Sequence, residues 1–248
     1  MSSYLIGSIP MSYYLTTRYN NWNKRIIYVI KYFGIHILVA YLLGFAIDFF
    51  LLIIALSAFY SLYDFFCFAN DLIDIPEHRK VKWKLNRNNY AIIKASIAIF
   101  FTLVIAIVSS QSAILVFIIL MSTIVVFILH NNIFFLKPIT FISLYMLKSI
   151  LFFVAISGAD YDSQIHFFIF TLLFNMSYLP GYIMRKFMNI KVNELMRPIW
   201  WKNIGFLIYI FFSPIVSLSA FVFTNLVTAI EWGLSKVVIM VDHHGDHP

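Results

Sequence analysis

The sequence has little charge and almost no cysteine. Asp, Glu, Lys and Arg together make up only 12% of its 248 residues, and Cys67 is its one cysteine. A single cysteine excludes both a disulfide within the chain and a zinc site built from cysteines. The sequence also lacks the phosphate loop GxxxxGKS/T, the zinc motif HExxH and the nucleophile motif GxSxG. No common soluble-enzyme motif therefore indicates its chemistry.

Apolar residues dominate instead. They make up 62% of the chain, which is more than a soluble domain of this length needs, so the surrounding solvent is a bilayer. Apolar stretches close to the ~20 residues of a crossing helix recur throughout. We predict spans at 26–43, 49–69, 91–109, 113–129, 139–157, 165–183, 203–222 and 226–241. The last of them contains Glu231 and Lys236 and is also compatible with an interfacial helix.

These spans predict an all-α, polytopic membrane helix bundle of about eight transmembrane helices. The bundle forms a single transmembrane domain over residues 1–248. Residues 1–21 contain Pro10 and no early positive charge, so we predict an interfacial segment there and no signal peptide. Residues 242–248 are predicted to be a disordered tail.

Lysine and arginine are confined to alternate polar segments. The turns near Asp48, Ser110, Asp160 and Asn225 contain neither residue, whereas the connection after the sixth span contains several, up to Lys202. Lys and Arg in short loops mark the cytoplasmic side. Eight crossings then leave both termini in the cytoplasm, and we predict a bacterial or archaeal inner membrane. The net charge of +7 reflects this topology and attraction to anionic lipid or phosphate, not nucleic-acid binding.

One stretch combines acidic and basic residues at the end of the second span. It reads NDLIDIPEHR over 70–79 and is followed by several basic residues. On a helix, Asp71 and Asp74 share one face, and their like charges repel unless a cation lies between them. Carboxylates beside an amide carbonyl suit Mg²⁺, which completes its coordination with water and substrate phosphate. The candidate ligands are Asn70, Asp71, Asp74 and Glu77. The alternative is an ordinary acidic helix end balanced by lysines.

This stretch resembles the first signature of the UbiA superfamily of intramembrane prenyltransferases, which are bundles of about nine helices around a cavity. That signature often reads N-D-x-x-D-x-x-x-D-R, followed by a lysine five residues later and an arginine three after that. Here Arg79, Lys84 and Arg87 match its basic positions, and His78 replaces the last Asp. Arg18-x-x-x-Trp22-x-Lys24 resembles the opening of the branch that transfers phosphoribose to polyprenyl phosphate. The similar layout covers about residues 18 to 222.

The second family motif is degenerate in this sequence. The family carries D-x-x-x-D after its sixth helix, whereas Asn189 and Asn193 keep the spacing here without the charges, next to Glu194. The chain is also one helix shorter than the family pattern. These three residues are a possible remnant of the second motif that supplies weaker metal ligands.

The resemblance implies a transferase that acts on an isoprenoid diphosphate with Mg²⁺ at the cytoplasmic face. Asp71 and Asp74 would be catalytic through the metal, which neutralises the departing diphosphate. The candidate phosphate-binding residues are Arg79, Lys84, Arg87, Lys137, Lys186 and Lys191, and for each of them plain positive-inside charge is the alternative. Membrane lipid is the other expected partner.

Two further functions stay open. One is a polyprenyl-phosphate phosphoribosyltransferase of the same superfamily, and the other is a non-catalytic membrane subunit that retains the fold. A small transporter is disfavoured because charges within the spans are sparse and no paired broken helices are evident.

Charges inside hydrocarbon are costly and usually functional. Asp64 and Lys148 are the two that we single out. We predict that they form a buried pair or line the cavity separately.

Overall fold

The computed structural model describes residues 9–18, 22–73, 87–187 and 198–244, and it describes the side chains of 9–16, 22–70, 88–184, 187 and 200–231. These residues are almost entirely helical. They belong to two compact units. The first unit comprises Met1–Arg18 and Phe45–Gly158, and the second comprises Tyr19–Gly44 and Ala159–Pro248.

Eleven helices follow one another along the described residues. They are α1 (Ser12–Arg18), α2 (Trp22–Val29), α3 (Ile35–Leu42), α4 (Phe49–Ile73), α5 (Arg87–Val108), α6 (Ser110–Asn132), α7 (Lys137–Ile150), α8 (Tyr161–Met176), α9 (Leu179–Lys186), α10 (Pro198–Tyr209) and α11 (Pro214–His244). A π-helical turn, Ile30–Gly34, joins α2 to α3. Two 3₁₀ turns, Phe134–Leu136 and Leu151–Val154, flank α7.

Seven helical stretches among the described residues are long and apolar enough to cross a membrane. They are Trp22–Leu42, Phe49–Asn70, Asn88–Val108, Ser110–Asn132, Phe134–Val154, Tyr161–Met184 and Pro214–Glu231. Large apolar side chains cover their outer surfaces; Ile107 of α5, for example, is 86% exposed. Such a surface is stable against lipid rather than water. The chain is therefore an integral, all-α polytopic membrane protein, as the composition predicts.

The division of the last two predicted spans is wrong. The sequence predicts spans at 203–222 and 226–241 with a turn near Asn225. In the structure α10 ends at Tyr209, and Pro214 starts α11, which continues through Asn225 to His244. Proline is well suited to the first position of a helix. Asn225 instead lies inside α11, where its Nδ2 donates to the Phe221 carbonyl at 2.8 Å. Helix α11 also extends into the predicted disordered tail.

Three turns without Lys or Arg are closed by short polar side chains. Asp48 accepts a hydrogen bond from the Leu51 N–H at 2.9 Å, Ser109 from Ser112 at 3.2 Å, and Asp160 from Ser163 at 2.8 Å. Such caps satisfy N–H groups that have no partner within the helix. The Ser163 N–H also holds the pKa of Asp160 below its usual value.

In the first unit, strands β1 (Ala46–Ile47) and β2 (Ile156–Ser157) pair antiparallel.

Candidate functional site

The acidic and basic stretch begins on α4 and ends on α5. Helix α4 continues through Asn70 and Asp71 to Ile73, and α5 begins at Arg87. Asn70 is half-buried. The intervening segment 74–86 lies outside the described residues. It includes four of the predicted site residues, Asp74, Glu77, Arg79 and Lys84.

Two contacts define the register of α4 against α5. The ring centroids of Phe68 and Tyr90 are 4.9 Å apart, and Asp64 Oδ2 lies 2.8 Å from Lys94 Nζ. Between these contacts the residue number falls by four on α4 and rises by four on α5, so the helices are antiparallel. One further turn of about 3.6 residues brings the backbone positions 71 and 87 to the same level. The first acidic residue and the last basic residue of the stretch therefore lie at the same end of this helix pair.

Lys137 belongs to the same end of the first unit. Phe66 of α4 stacks on Phe127 of α6 with ring centroids 4.1 Å apart. His130 Nδ1 lies 2.8 Å from Thr140 Oγ1, which brings the end of α6 to the start of α7. At about 1.5 Å per residue, Lys137 is then close to the level of the last turn of α4. Its ammonium lies 5.6 Å from the centroid of the Phe134 ring.

The buried carboxylate of Asp64 has a partner other than Lys148, for which the sequence predicts either a pair with Asp64 or a separate position along the cavity. Asp64 pairs with Lys94 and not with Lys148, and both side chains of the Asp64–Lys94 pair are fully buried. Lys94 is not among the predicted site residues, although it lies near the start of the predicted span 91–109. The similar distance of the two residues from the connection between α4 and α5 was the available signal. Asp64 lies nine residues before Ile73, where α4 ends, and Lys94 lies seven residues after Arg87, where α5 begins. Consecutive antiparallel helices bring such residues together.

The same ion pair holds the N-terminal segment. Asp64 accepts hydrogen bonds from the backbone N–H groups of Tyr13 at 3.4 Å and Tyr14 at 2.9 Å, both in α1. Lys94 Nζ donates to the Ile9 carbonyl at 2.9 Å. The segment predicted to be interfacial therefore contains a short helix that is tied to α4 and α5.

The other predicted site residues are not brought to this end by any described contact. Lys148 is only 3% exposed, and its ammonium lies 4.4 Å from the centroid of the Tyr145 ring. In the second unit, Lys186 is the last residue of α9, and its side chain is not among those described. The predicted second-motif residues Asn189, Lys191, Asn193 and Glu194 lie outside the described residues. Among the residues that the structure describes, no group of three or more His, Cys, Asp or Glu could hold a metal ion.

The second unit contains a buried cation that the sequence presented as a loop charge. Lys202 of α10 is 6% exposed and lies against aromatic rings of α8 and the turn that follows it. Lys31 and Glu231 form an ion pair in the same unit. Charges at membrane depth are functional candidates by default.

The first unit thus gathers one acidic and two basic positions, 71, 87 and 137, at one end of four helices. Oxygen ligands and cations in this combination suit a metal-bound phosphate group. In comparisons with known proteins, no protein-family model, no curated protein and no solved structure matches the chain.

Proposed function

We propose that the chain is a UbiA-like intramembrane transferase that acts on an isoprenoid diphosphate at the cytoplasmic face of a bacterial or archaeal inner membrane. The common level of positions 71, 87 and 137 carries this proposal. It supports a diphosphate site because the two ends of the acidic and basic stretch, which are separated in sequence, lie at one end of the first unit. That end is also where the apolar spans stop, so a substrate with an apolar tail and a charged head would find both environments there.

The donor set of the first motif fits Mg²⁺. It consists of the Asn70 amide oxygen and the carboxylates of Asp71, Asp74 and Glu77. A hard cation prefers oxygen ligands, and Mg²⁺ usually takes one or two protein carboxylates and leaves room for substrate phosphate. Because α4 remains helical to Ile73, Asn70 and Asp71 occupy adjacent positions in its last turns. When bound, the metal would neutralise negative charge on the departing diphosphate.

The basic residues of the chain would bind the remaining phosphate oxygens. Arg79 and Arg87 suit bidentate contacts, and Lys84 and Lys137 act as point charges. Preorganised cations of this kind stabilise charge that develops as the C–O bond breaks. The chain contains 27 phenylalanines, and such aromatic faces suit an isoprenoid tail and a developing allylic cation.

Calorimetric titration of Mg²⁺ into the purified chain in uncharged detergent tests this function. With farnesyl diphosphate present, we expect one Mg²⁺ to bind per chain, and without the diphosphate we expect no tight binding. Asp71→Asn or Asp74→Asn should abolish the diphosphate-dependent binding. Asp162→Asn removes an exposed carboxylate from the first turn of α8 and should leave the diphosphate-dependent binding intact.

The same titration separates the remaining alternatives. Tighter coupling of Mg²⁺ to phosphoribosyl diphosphate than to farnesyl diphosphate would favour the phosphoribosyltransferase. Asn189→Asp and Asn193→Asp should strengthen metal binding, because they restore the charge of a second motif. If the wild-type chain binds neither the metal nor either diphosphate, the transferase proposal fails and the non-catalytic subunit becomes the better account.

A further inference from the structure

Lys202 is a buried lysine without an acidic or hydrogen-bonding partner among the described residues. Only 6% of its surface is exposed. Its Nζ lies 4.3 Å from the centroid of the Phe174 ring and 4.6 Å from that of Tyr178. Aromatic faces attract a cation, but they offer no acceptor for its three N–H groups. A buried ammonium normally needs such acceptors to offset the loss of water.

The aromatic side of this site is built by two further segments of the second unit. The Phe174 ring contacts His36 of α3 with centroids 5.1 Å apart, and Tyr32 of the π-helical turn at 6.0 Å. Phe174 is itself 1% exposed. The ring beneath the ammonium is therefore buried and packed against the helical stretch that contains Tyr32 and His36.

The pairing of helices α10 and α11 places a second polar group on the same side of their interface as Lys202. Asn203 and Asn225 exchange amide hydrogen bonds of 3.1 and 3.4 Å, and Ser217 donates to the Phe206 carbonyl, so the helices are antiparallel neighbours. Asn203 and Asn225 face each other in this antiparallel pair. The residues that precede them, Lys202 and Thr224, therefore lie on the same side of the interface between the two helices. Thr224 is 4% exposed, and its hydroxyl makes no hydrogen bond within the described residues.

The nearby acidic side chain does not neutralise Lys202. Glu231 is bound to Lys31 in an ion pair. Both of these charges act on Lys202, one repelling and one attracting its ammonium. Their effects on the ammonium oppose each other, so Glu231 is not the counter-ion of Lys202.

We propose that Lys202 and Thr224 bind an oxyanion, a phosphate or a carboxylate, that is carried on an apolar chain. The ammonium supplies the opposite charge, and the Thr224 hydroxyl supplies a hydrogen bond. The rings of Phe174 and Tyr178 contact the apolar part of the ligand. An amphiphile fits better than a free anion, because the described walls of the site are aromatic and the bundle is surrounded by lipid. This site does not depend on the proposed transferase activity.

Thermal unfolding of the full chain in dodecyl maltoside tests the proposal, with dodecyl phosphate, dodecanoate and inorganic phosphate as probes. We expect dodecyl phosphate and dodecanoate to raise the Tm of the wild type, and inorganic phosphate at the same concentration to have little effect. Lys202→Met should weaken dodecyl phosphate binding about tenfold or more, since a charged hydrogen-bonding group is lost. Thr224→Val should weaken it less.

The ligand-free Tm separates a binding lysine from a structural one. Replacing an unpaired buried ammonium with an apolar chain of similar length is usually neutral or stabilising, so Lys202→Met should not lower the ligand-free Tm. Asn203→Ala is the matched control, because it removes a neighbouring contact between helices but retains the ammonium. It should lower the Tm and keep the response to dodecyl phosphate.

Three results would overturn the proposal. The first is a wild type that responds to none of the three probes. The second is a Lys202→Met variant that is less stable without ligand or that keeps the full response. The third is a full response to inorganic phosphate, which would show that the site binds free anions and would contradict the proposal of an amphiphilic ligand.

Discussion

Asp64 illustrates how single residues keep a charge inside the bundle. Its carboxylate accepts hydrogen bonds from one ammonium and two backbone N–H groups, and Lys94 in turn donates to a backbone carbonyl. A buried ion pair offsets its desolvation only when further hydrogen bonds satisfy both partners. Here the additional partners come from the N-terminal segment, so the pair also positions α1.

The ion pair predicts strong coupling between two substitutions. Asp64→Asn or Lys94→Met alone should lower the free energy of unfolding by about 3–5 kcal/mol, because each leaves a buried charge without its counter-ion. The double variant should lose clearly less than the sum of the two single losses. Denaturation by dodecyl sulfate in mixed micelles measures these differences.

Lys148 supplies the control for this comparison of single and double variants. It is a buried lysine of the same unit that lies over Tyr145 rather than beside Asp64. The losses from Asp64→Asn and Lys148→Met should therefore add to within about 0.5 kcal/mol. Coupling in this pair, or additivity in the Asp64 and Lys94 pair, would contradict the observed pairing.

At the scale of elements, the hairpin of α10 and α11 explains why hydropathy misplaced a turn. The turn residues include Ile210, Phe211 and Phe212, so the apolar run continues across the break. Pro214 was the usable signal, because proline is favoured at the first position of a helix and disfavoured within it. Asn225 suggested a turn by its polarity alone, yet it bonds to Asn203 across the helix interface.

A cysteine cross-link distinguishes the two arrangements. In a Cys67→Ala background, Asn203→Cys with Asn225→Cys should form a disulfide under mild oxidation, because the native side chains are in hydrogen-bond contact. Under the division predicted from sequence, these positions would lie at opposite ends of one helix, about 30 Å apart. Electrophoretic mobility and peptide mass measure the cross-link.

Leu218 provides the outward-facing comparison for the cross-link, since it is 63% exposed on α11. Asn203→Cys with Leu218→Cys should remain reduced under the same conditions. Equal cross-linking of both pairs would mean that the hairpin register is not the one observed.

At the scale of the whole molecule, composition predicted the class and the first six spans, because long apolar runs bounded by polar turns need little tertiary information. The pairing of charged residues inside the membrane was harder to predict from the sequence. Asp64 and Lys148 were plausible partners by composition, and only the helix register shows that Lys94 is the partner. The level shared by positions 71, 87 and 137 likewise requires the helix contacts, although the acidic and basic motif itself is visible in the sequence.

The predicted orientation of the termini stays a prediction at this scale. Because α10 and α11 form an antiparallel hairpin, the chain returns toward the side from which α10 starts, even without a separate eighth span. The segregation of Lys and Arg still predicts that this side is cytoplasmic.

Labelling with a membrane-impermeant maleimide tests that orientation. In intact cells and in a Cys67→Ala background, Gln164→Cys, in the first turn of α8 beside the Lys- and Arg-free turn, should react from outside. Asn132→Cys, in the predicted cytoplasmic connection that contains Lys137, should react only after the membrane is opened; both positions are exposed. The reverse pattern would place the acidic stretch on the outer face.

Release of diphosphate from an isoprenyl diphosphate is the measurement that tests the proposed transferase most directly. Inner membranes that contain the chain, supplied with Mg²⁺ and labelled farnesyl or longer isoprenyl diphosphates, should release diphosphate and retain the label in lipid. Asp71→Asn and Asp74→Asn membranes should show at least about a hundredfold less release, since loss of electrostatic stabilisation at a developing anion typically costs that much. Asp162→Asn membranes should match the wild type. Release that is absent from wild-type membranes, or unchanged in both motif variants, would contradict the transferase account.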